Sequence, residues 1–456
     1  MSGTEHATVT KMRLMQRTAT DDPETPVSDM PRADVSPDAP ARATRLPNGL
    51  RSLGHRDYRI FFTTQLFSLT GTWMQTLAQS WLVLSLTNSP AALGLVGVFQ
   101  FGPTLLLGLP AGVFVDRVPK RNLLICTQIC FAIITALLAI QLERGELQLW
   151  QIYAAALGLG IFSAFDMPAR QAFVVDLVGR DDLMNGIALN SALFNTSRIV
   201  GPALAGLLLS NFGPGICFVL NSLSYIPVII GLLLMHAKGL PGNVSVGSPV
   251  ERLREGLAYS LKTRAVLLPI ILAGLMALFG MNFNVWAPLL AKDAFNIGAS
   301  GFGLLMSSLG VGSLTGALLL AFTGRRPSPR MLVTTALAFG LLEIGLAMSA
   351  KVGAPPLVAM LLMVGVGFTM TSTMTQANTT VQTNTPDAMR GRVMSIYLTV
   401  FAGGTPIGDA LAGAFSQNWG VAVAIAIGGA VVAAVAILIS RQLTRAERNL
   451  PEPAVT

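Results

Sequence analysis

The sequence predicts an all-α polytopic membrane protein: twelve transmembrane helices arranged as two halves of six. Three observations predict it. Hydrophobic residues are 52% of the 456 residues and charged residues only 12%, against about 25% charged in a soluble domain, so most of the surface must face lipid. Apolar runs recur from Tyr58 onward, each near the roughly 20 residues that a helix needs to cross a bilayer. Finally, the two parts of the apolar region repeat one another at a fixed offset of 205 residues.

Taken in order, the runs place helices near 58–86, 91–115, 122–142, 149–168, 184–210 and 215–235, then near 265–290, 300–323, 330–350, 355–380, 392–416 and 420–440. Residues 1–50, rich in Pro, Asp, Arg and Thr and without an apolar run, read as a disordered tail. No apolar stretch there precedes a small-residue cleavage site, so a signal peptide is not expected. The halves are 51–235 and 265–441, joined by a linker over 236–264, with a short tail over 442–456. The repeat pairs Gly160 with Gly365, Gln171 with Gln376, Asp182 with Asp387, Met184 with Met389 and Gly186 with Gly391. Two six-helix halves related by an axis along the membrane normal form a transporter architecture.

Lys and Arg set the expected orientation. Loops on one side hold fifteen of them, including Arg117, Lys120, Arg121, Lys238, Arg254, Arg325 and Arg392, against Arg144, Lys292 and Lys351 on the other. The basic side is expected to be cytoplasmic, with both termini there. The net charge of +8 points to an anionic membrane face and not to nucleic acid. Cys126, Cys130 and Cys217 all sit in apolar segments and read as small packing residues. His6, His55 and His236 lie outside the spans, so no metal or nucleophile constellation is visible, and no GxxxxGK[ST] sequence is present. An embedded enzyme or an ATP-driven pump is therefore disfavoured, and no cofactor is expected.

The second helix ends Gly112-Val-Phe-Val-Asp116-Arg117-Val-Pro119-Lys120-Arg121. Glycine, three residues, Asp-Arg, two residues and two basic residues resemble the signature between helices 2 and 3 of the major facilitator superfamily, with Pro119 where that signature has glycine. Gly71-Thr-Trp73-Met-Gln75 in the first helix, Pro168-Ala-Arg170-Gln171 at the end of the fourth and Pro386-Asp387-Ala-Met-Arg390-Gly391-Arg392 in the tenth loop are similar to the enterobactin-exporter-like branch. The resemblance covers about residues 50–440. It implies alternating access by rocking of two halves, and export as the commoner direction. Gly201-Pro202 with Ala205-Gly206 in the fifth helix resembles the superfamily's antiporter motif, and a simple proline kink is the alternative. Of the second-half copy of the signature only Gly324-Arg325-Arg326 survives.

The fold so implied would place helices 1, 4, 7 and 10 around a central cavity. Gln65, Ser68, Thr72, Gln75 and Gln79 form one stripe of the first helix; they line either a cavity or a helix–helix seam. Tyr153, Asn282, Asn284, Thr373 and Gln376 are the matching candidates on helices 4, 7 and 10. Amides, hydroxyls and aromatics with few charges suit a large, mostly neutral amphiphile. Charges inside the spans each cost about 2.5–3.5 kcal/mol. Arg198 reads as a site for an anionic substrate or counter-ion, or as a structural pair. Asp409 reads as a proton carrier or an interhelical hydrogen bond, and Glu343 is a weaker proton candidate with a structural alternative. A conformational latch is expected from Gly112, Asp116, Arg117, Lys120, Arg121, Asp166 and Arg170, with Asp166 paired to Arg117 or Arg121. The expected function is proton-coupled export of a small amphiphile by a monomer in the lipid bilayer; a proton-coupled importer and a non-transporting sensor are the alternatives.

Overall fold

In hydrocarbon every backbone N–H and C=O must be satisfied within the segment, so each apolar run is a helix. The computed structural model describes residues 48–239, 249–323 and 328–448. The tail over 1–47, residues 240–248, residues 324–327 with the Gly324-Arg325-Arg326 remnant, and residues 449–456 lie outside the described residues.

The first half holds α1 (Arg56–Thr87), α2 (Pro90–Val115), α3 (Lys120–Glu143), α4 (Leu149–Val178), α5 (Leu183–Phe212) and α6 (Gly215–Leu234). A linker helix α7 (Pro249–Lys262) follows. The second half holds α8 (Arg264–Phe279), α9 (Phe283–Leu289), α10 (Gly298–Thr323), α11 (Pro329–Lys351), α12 (Pro356–Thr383), α13 (Asp387–Trp419) and α14 (Val421–Arg448). Ten spans are long and apolar enough to cross a membrane, with α8, α9 and the turn to Ala294 counted as one. The helices α1 and α13 are of membrane length but too polar for that measure, and complete twelve among the described residues.

Local chemistry sets the joints. Asn88 takes a left-handed conformation (φ 50°) that stops α1, and Ser89 then accepts the Ala92 N–H ahead of Pro90 to start α2. Three joints differ from the sequence reading. Residues expected as one seventh helix break at Gly280–Asn282. Part of the linker is helical: Glu255 of α7 pairs with Arg392, and the Tyr259 hydroxyl donates to the Asn384 carbonyl at 3.3 Å. The expected tail stops short of residue 50, because Asn48–Gly54 forms a 3-10 turn. That turn is held by Arg51 and His55 to Asp182 at 3.0 and 2.8 Å, and by the Ser52 N–H donating to Asn185 Oδ1 at 2.8 Å. A short element before each half thus grips the loop between the fourth and fifth helices of that half, the structural counterpart of the sequence repeat.

The halves meet at the end away from Arg117, Lys120 and Arg392. There α2 packs on α13 and α5 on α10 through glycine. A Cβ on Gly94 would lie 2.5 Å from the Asp409 carbonyl, and one on Gly303 would lie 2.5 Å from the Pro202 carbonyl and 2.8 Å from Gly206 Cα. Lys292 Nζ donates to Asn88 Oδ1 at 2.9 Å and Ser89 Oγ to Gln417 Oε1 at 3.0 Å, while Trp81 stacks on Phe302 with centroids 6.1 Å apart. Towards the basic end, a Cβ added to Gly102, Gly108 or Gly112 of α2, or to Gly391 of α13, would meet nothing within 4 Å. Gly94, Gly97, Leu105, Gly108 and Gly112 fall on one stripe of α2 by helical spacing. One stripe is therefore clamped at one end and free at the other, so the halves splay towards the basic end.

Gly303→Val should prop this clamp apart. In a chain carrying N88C and K292C, oxidative cross-linking is expected to be fast without G303V and several-fold slower with it; equal rates would show that the glycine contact does not hold the closed end.

Candidate transport cavity and buried polar sites

A cleft between the splayed halves is lined by α1, α2, α9 and α13. Helical rotation of about 100° per residue decides which polar side chains reach it. The stripe of α1 divides. Gln75 turns away: its Oε1 accepts from Thr135 Oγ1 at 3.0 Å and from Asn221 Nδ2 at 2.5 Å, tying α1 to α3 and α6. It belongs to a seam and not to the cavity, because the absence of a side chain at Gly71 lets Asn221 come within reach. Gln65 and Ser68 are buried, and Thr72 is exposed, with its hydroxyl beside that of Tyr225 on α6. Gln79 is buried beside a cleft between the halves, and its Nε2 has no hydrogen-bond partner among the described residues.

That cleft is lined by Thr76, Gln79, Gln100, Asn284 and Asp409. Asp409 is 2% exposed, and its Oδ2 also has no hydrogen-bond partner among the described residues. A side chain on Gly97 would collide with its carboxylate. The carboxyl group of α13 therefore lies flat on the backbone of α2, in the joint between the halves.

Four other expected cavity residues stand in seams. The Tyr153 hydroxyl donates to the Ala92 carbonyl at 3.3 Å, which fixes α4 to α2. Asn282 Nδ2 donates back to the Leu278 carbonyl at 3.1 Å, and Asn282 packs under Gly408 of α13. Thr373 Oγ1 lies 2.9 Å from Thr335 Oγ1, and Gln376 Nε2 lies 3.4 Å from Met331 Sδ, so both face α11. Thr375, between them on α12, is exposed. Glu343 is fully buried against Gly429 of α14, with neither carboxyl oxygen partnered among the described residues. It sits in the α11–α14 seam, outside the cleft that holds Asp409.

The expected latch pairing is also different. Asp166 bonds to neither Arg117 nor Arg121. Its Oδ1 accepts from Thr127 Oγ1 at 2.7 Å and from Gln128 Nε2 at 3.0 Å, and its Oδ2 accepts from Arg170 Nη2 at 2.5 Å and Nε at 3.1 Å. One helical turn separates Asp166 from Arg170, so the nearest cation is on its own helix. Arg121 instead donates to the Leu232 and Leu233 carbonyls at 2.5 and 2.7 Å, and Lys120 pairs with Asp176 at 3.0 Å. Asp116 and Arg117 are exposed, and their side chains make no ion pair among the described residues. Gly112, next to them, faces open space.

Sequence reasoning did not single out Gly97, Gln100, Thr76 or Phe194. Phe194 meets Trp73 edge-on with centroids 5.7 Å apart, and Arg198 lies 5.9 Å from the Trp73 centroid. For Gly97 the signal was its seven-residue periodicity with other small residues of α2; for the others, none existed without the neighbouring helix.

The transmembrane secretion effector family model matches residues 48–453. The staphyloferrin A transporter of Staphylococcus aureus is 26% identical over 267 residues, which are 58% of this chain and 66% of that protein. The enterobactin exporter of Escherichia coli is 25% identical over 362 residues, 79% of this chain and 85% of that one. The chain thus spans just under two thirds of the first relative and more of the second. The fold is similar to that of a crystallised nucleoside transporter, with a TM-score of 0.68 at 15% identity over 87% of this chain and 99% of that chain.

Removing one member of a buried ion pair costs about 3–5 kcal/mol. Asp166→Ala is therefore expected to lower the thermal midpoint of the purified protein clearly, whereas Asp116→Asn leaves it unchanged; equal shifts would contradict the assignment of Asp166 as the α3–α4 tie.

Proposed function

The chain belongs to the transmembrane secretion effector family of major facilitators, a family of membrane transporters and not enzymes, and from that premise we propose that it is a proton-driven exporter of a small amphiphilic compound. The observation that carries the coupling is Asp409, a buried and unpartnered carboxyl group in the joint where α2 meets α13. An ionised carboxylate enclosed without a donor is costly, while a protonated one carries its own O–H. Gain and loss of a proton at this position thus bear directly on whether the joint closes. The relative named an enterobactin exporter supports the direction.

The excess of Lys and Arg at the basic end supports a cytoplasmic placement of that end, and the exporter relatives support a bacterial inner membrane. The splayed state is then open inwards, ready to take a substrate from the cytoplasm into the space beside Thr76 and Gln100. Closure at that end and opening at the other would release the substrate and expose Asp409 to the outer proton supply. The exposed Asp116 and Arg117 are free to change partners as the basic end closes, which suits the latch role, and Lys120 and Arg121 hold their loop to α4 and α6 meanwhile. The energy comes from an ion gradient, protons in this reading, without a cofactor. The partners are the lipid bilayer and the small-molecule substrate, with no nucleic acid, and the working unit is a monomer.

Inverted vesicles with an acidic lumen test the coupling. From a panel of naphthalene amphiphiles that differ in charge, at least one is expected to accumulate in proportion to the pH gradient, and Asp409→Asn should lower that accumulation at least tenfold. Accumulation indifferent to the gradient would sink proton coupling. Asp116→Asn is expected to slow the same uptake several-fold with no loss of stability, and an unchanged rate would remove Asp116 from the latch.

A further inference from the structure

We infer that Arg198, over the Trp73 ring and beside Phe194, is the recognition site for an oxyanion borne by the transported molecule, so that the substrate is an anionic amphiphile with a planar or apolar body. The inference rests on the transporter reading and narrows its substrate class.

Rotation along α5 shows where Arg198 points. Ser197 and Gly201 face α1: Ser197 Oγ lies 3.3 Å from Thr70 Oγ1, and Gly201 abuts Trp73 Cβ. Ile199 and Gly206 face α10: the Ile199 carbonyl accepts from Ser307 Oγ at 2.9 Å, and Gly206 packs on Gly303. Arg198 lies on the arc between these two faces. Val200, Leu204 and Leu207, on the opposite arc, are outward and exposed. Arg198 therefore projects into the space between α1 and α10, where the halves splay.

The charge there is unbalanced. Arg198 makes no hydrogen bond or ion pair among the described residues, and it remains partly exposed. The helices packed around it hold no counter-ion at its level. Neither α5 nor α10 contains an acidic residue, and the one acid of α1, Asp57, lies at the basic end, where it accepts the His236 and Ala237 N–H groups. What fixes the guanidinium is the Trp73 face at 5.9 Å. A cation–π contact uses none of the guanidinium N–H groups, so its donors stay available. A planar fork of donors within the membrane and without a carboxylate is matched by a carboxylate, sulfonate or phosphate oxygen pair. Phe194, 43% exposed and edge-on to Trp73, offers an apolar wall next to that fork. A headgroup phosphate of a lipid has the same chemistry as a substrate oxyanion, and the test separates the two.

The probes are 1-naphthalenesulfonate and 1-naphthalenesulfonamide, which share shape and differ in charge. Binding to the full purified chain in neutral detergent is measured by calorimetry. The wild-type chain is expected to bind the sulfonate at least tenfold more tightly than the sulfonamide. Arg198→Gln should bring the two within twofold, and Arg198→Lys should keep a reduced preference, since it keeps the charge and loses the fork. R198K also serves if R198Q does not remain monodisperse. Equal binding of the probes, binding of neither, or a preference that R198Q or R198K leaves untouched would each overturn the inference. Displacement of the sulfonate by phosphatidylglycerol and not by phosphatidylcholine would assign the site to lipid and overturn it as a substrate site. Gradient-driven movement of only neutral or cationic amphiphiles in the vesicles would leave export standing and remove the anion assignment alone.

Discussion

The architecture depends on glycine at the closed end. Helices approach to backbone contact only where side chains are absent, and in lipid such packing replaces the hydrophobic drive that assembles soluble cores. Gly94, Gly97 and Gly413 bring α2 against α13, and Gly206 and Gly303 bring α5 against α10. These two contacts hold the halves together at one end. Because the same helices part towards the other end, the two contacts also define the cavity and its single mouth.

Each half is held together differently. Within a half, polar side chains tie helices where no change of partner is needed: Asp166 joins α4 to α3 through the Thr127 and Gln128 donors, and Gln75 joins α1 to α3 and α6. Between the halves, Asn88–Lys292 and Ser89–Gln417 are bonded across the closed end, while Asp409 and Gln79 beside them are left with unused bonding capacity. This division has a mechanical sense. A bundle that rocks needs rigid bodies with saturated hydrogen bonds, and a joint whose bonding can differ between its two states. Asp409 sits in such a joint and Glu343 does not, although both are buried carboxyl groups, and this is why the coupling role falls to the former.

The signature after α2 divides along the same line. Its distal basic pair, Lys120 and Arg121, is engaged inside the first half, on Asp176 and on the carbonyls that end α6. Its proximal pair, Asp116 and Arg117, stands exposed on the splayed side. One short loop thus carries an anchor and a pair of groups open to a partner on closure.

The sequence by itself determined the twelve helices, the two halves, their repeat and the basic side, because these follow from helix length, hydropathy and charge, which are local properties. It also singled out Asp409 and Arg198 as costly residues that must have a purpose in the membrane. Helical spacing put Gln65, Ser68, Thr72, Gln75 and Gln79 on one stripe, but a stripe covers a range of directions, and only the placement of the neighbouring helices around α1 decided that Gln75 serves a seam and Gln79 borders the cleft. The same holds for Thr373 and Gln376, which face α11 while Thr375 does not. Asp166 was assigned a remote arginine when Arg170, one turn away, was already in reach. Which neighbour a polar group meets is a property of the packing of several helices at once, and no periodicity within one helix contains it.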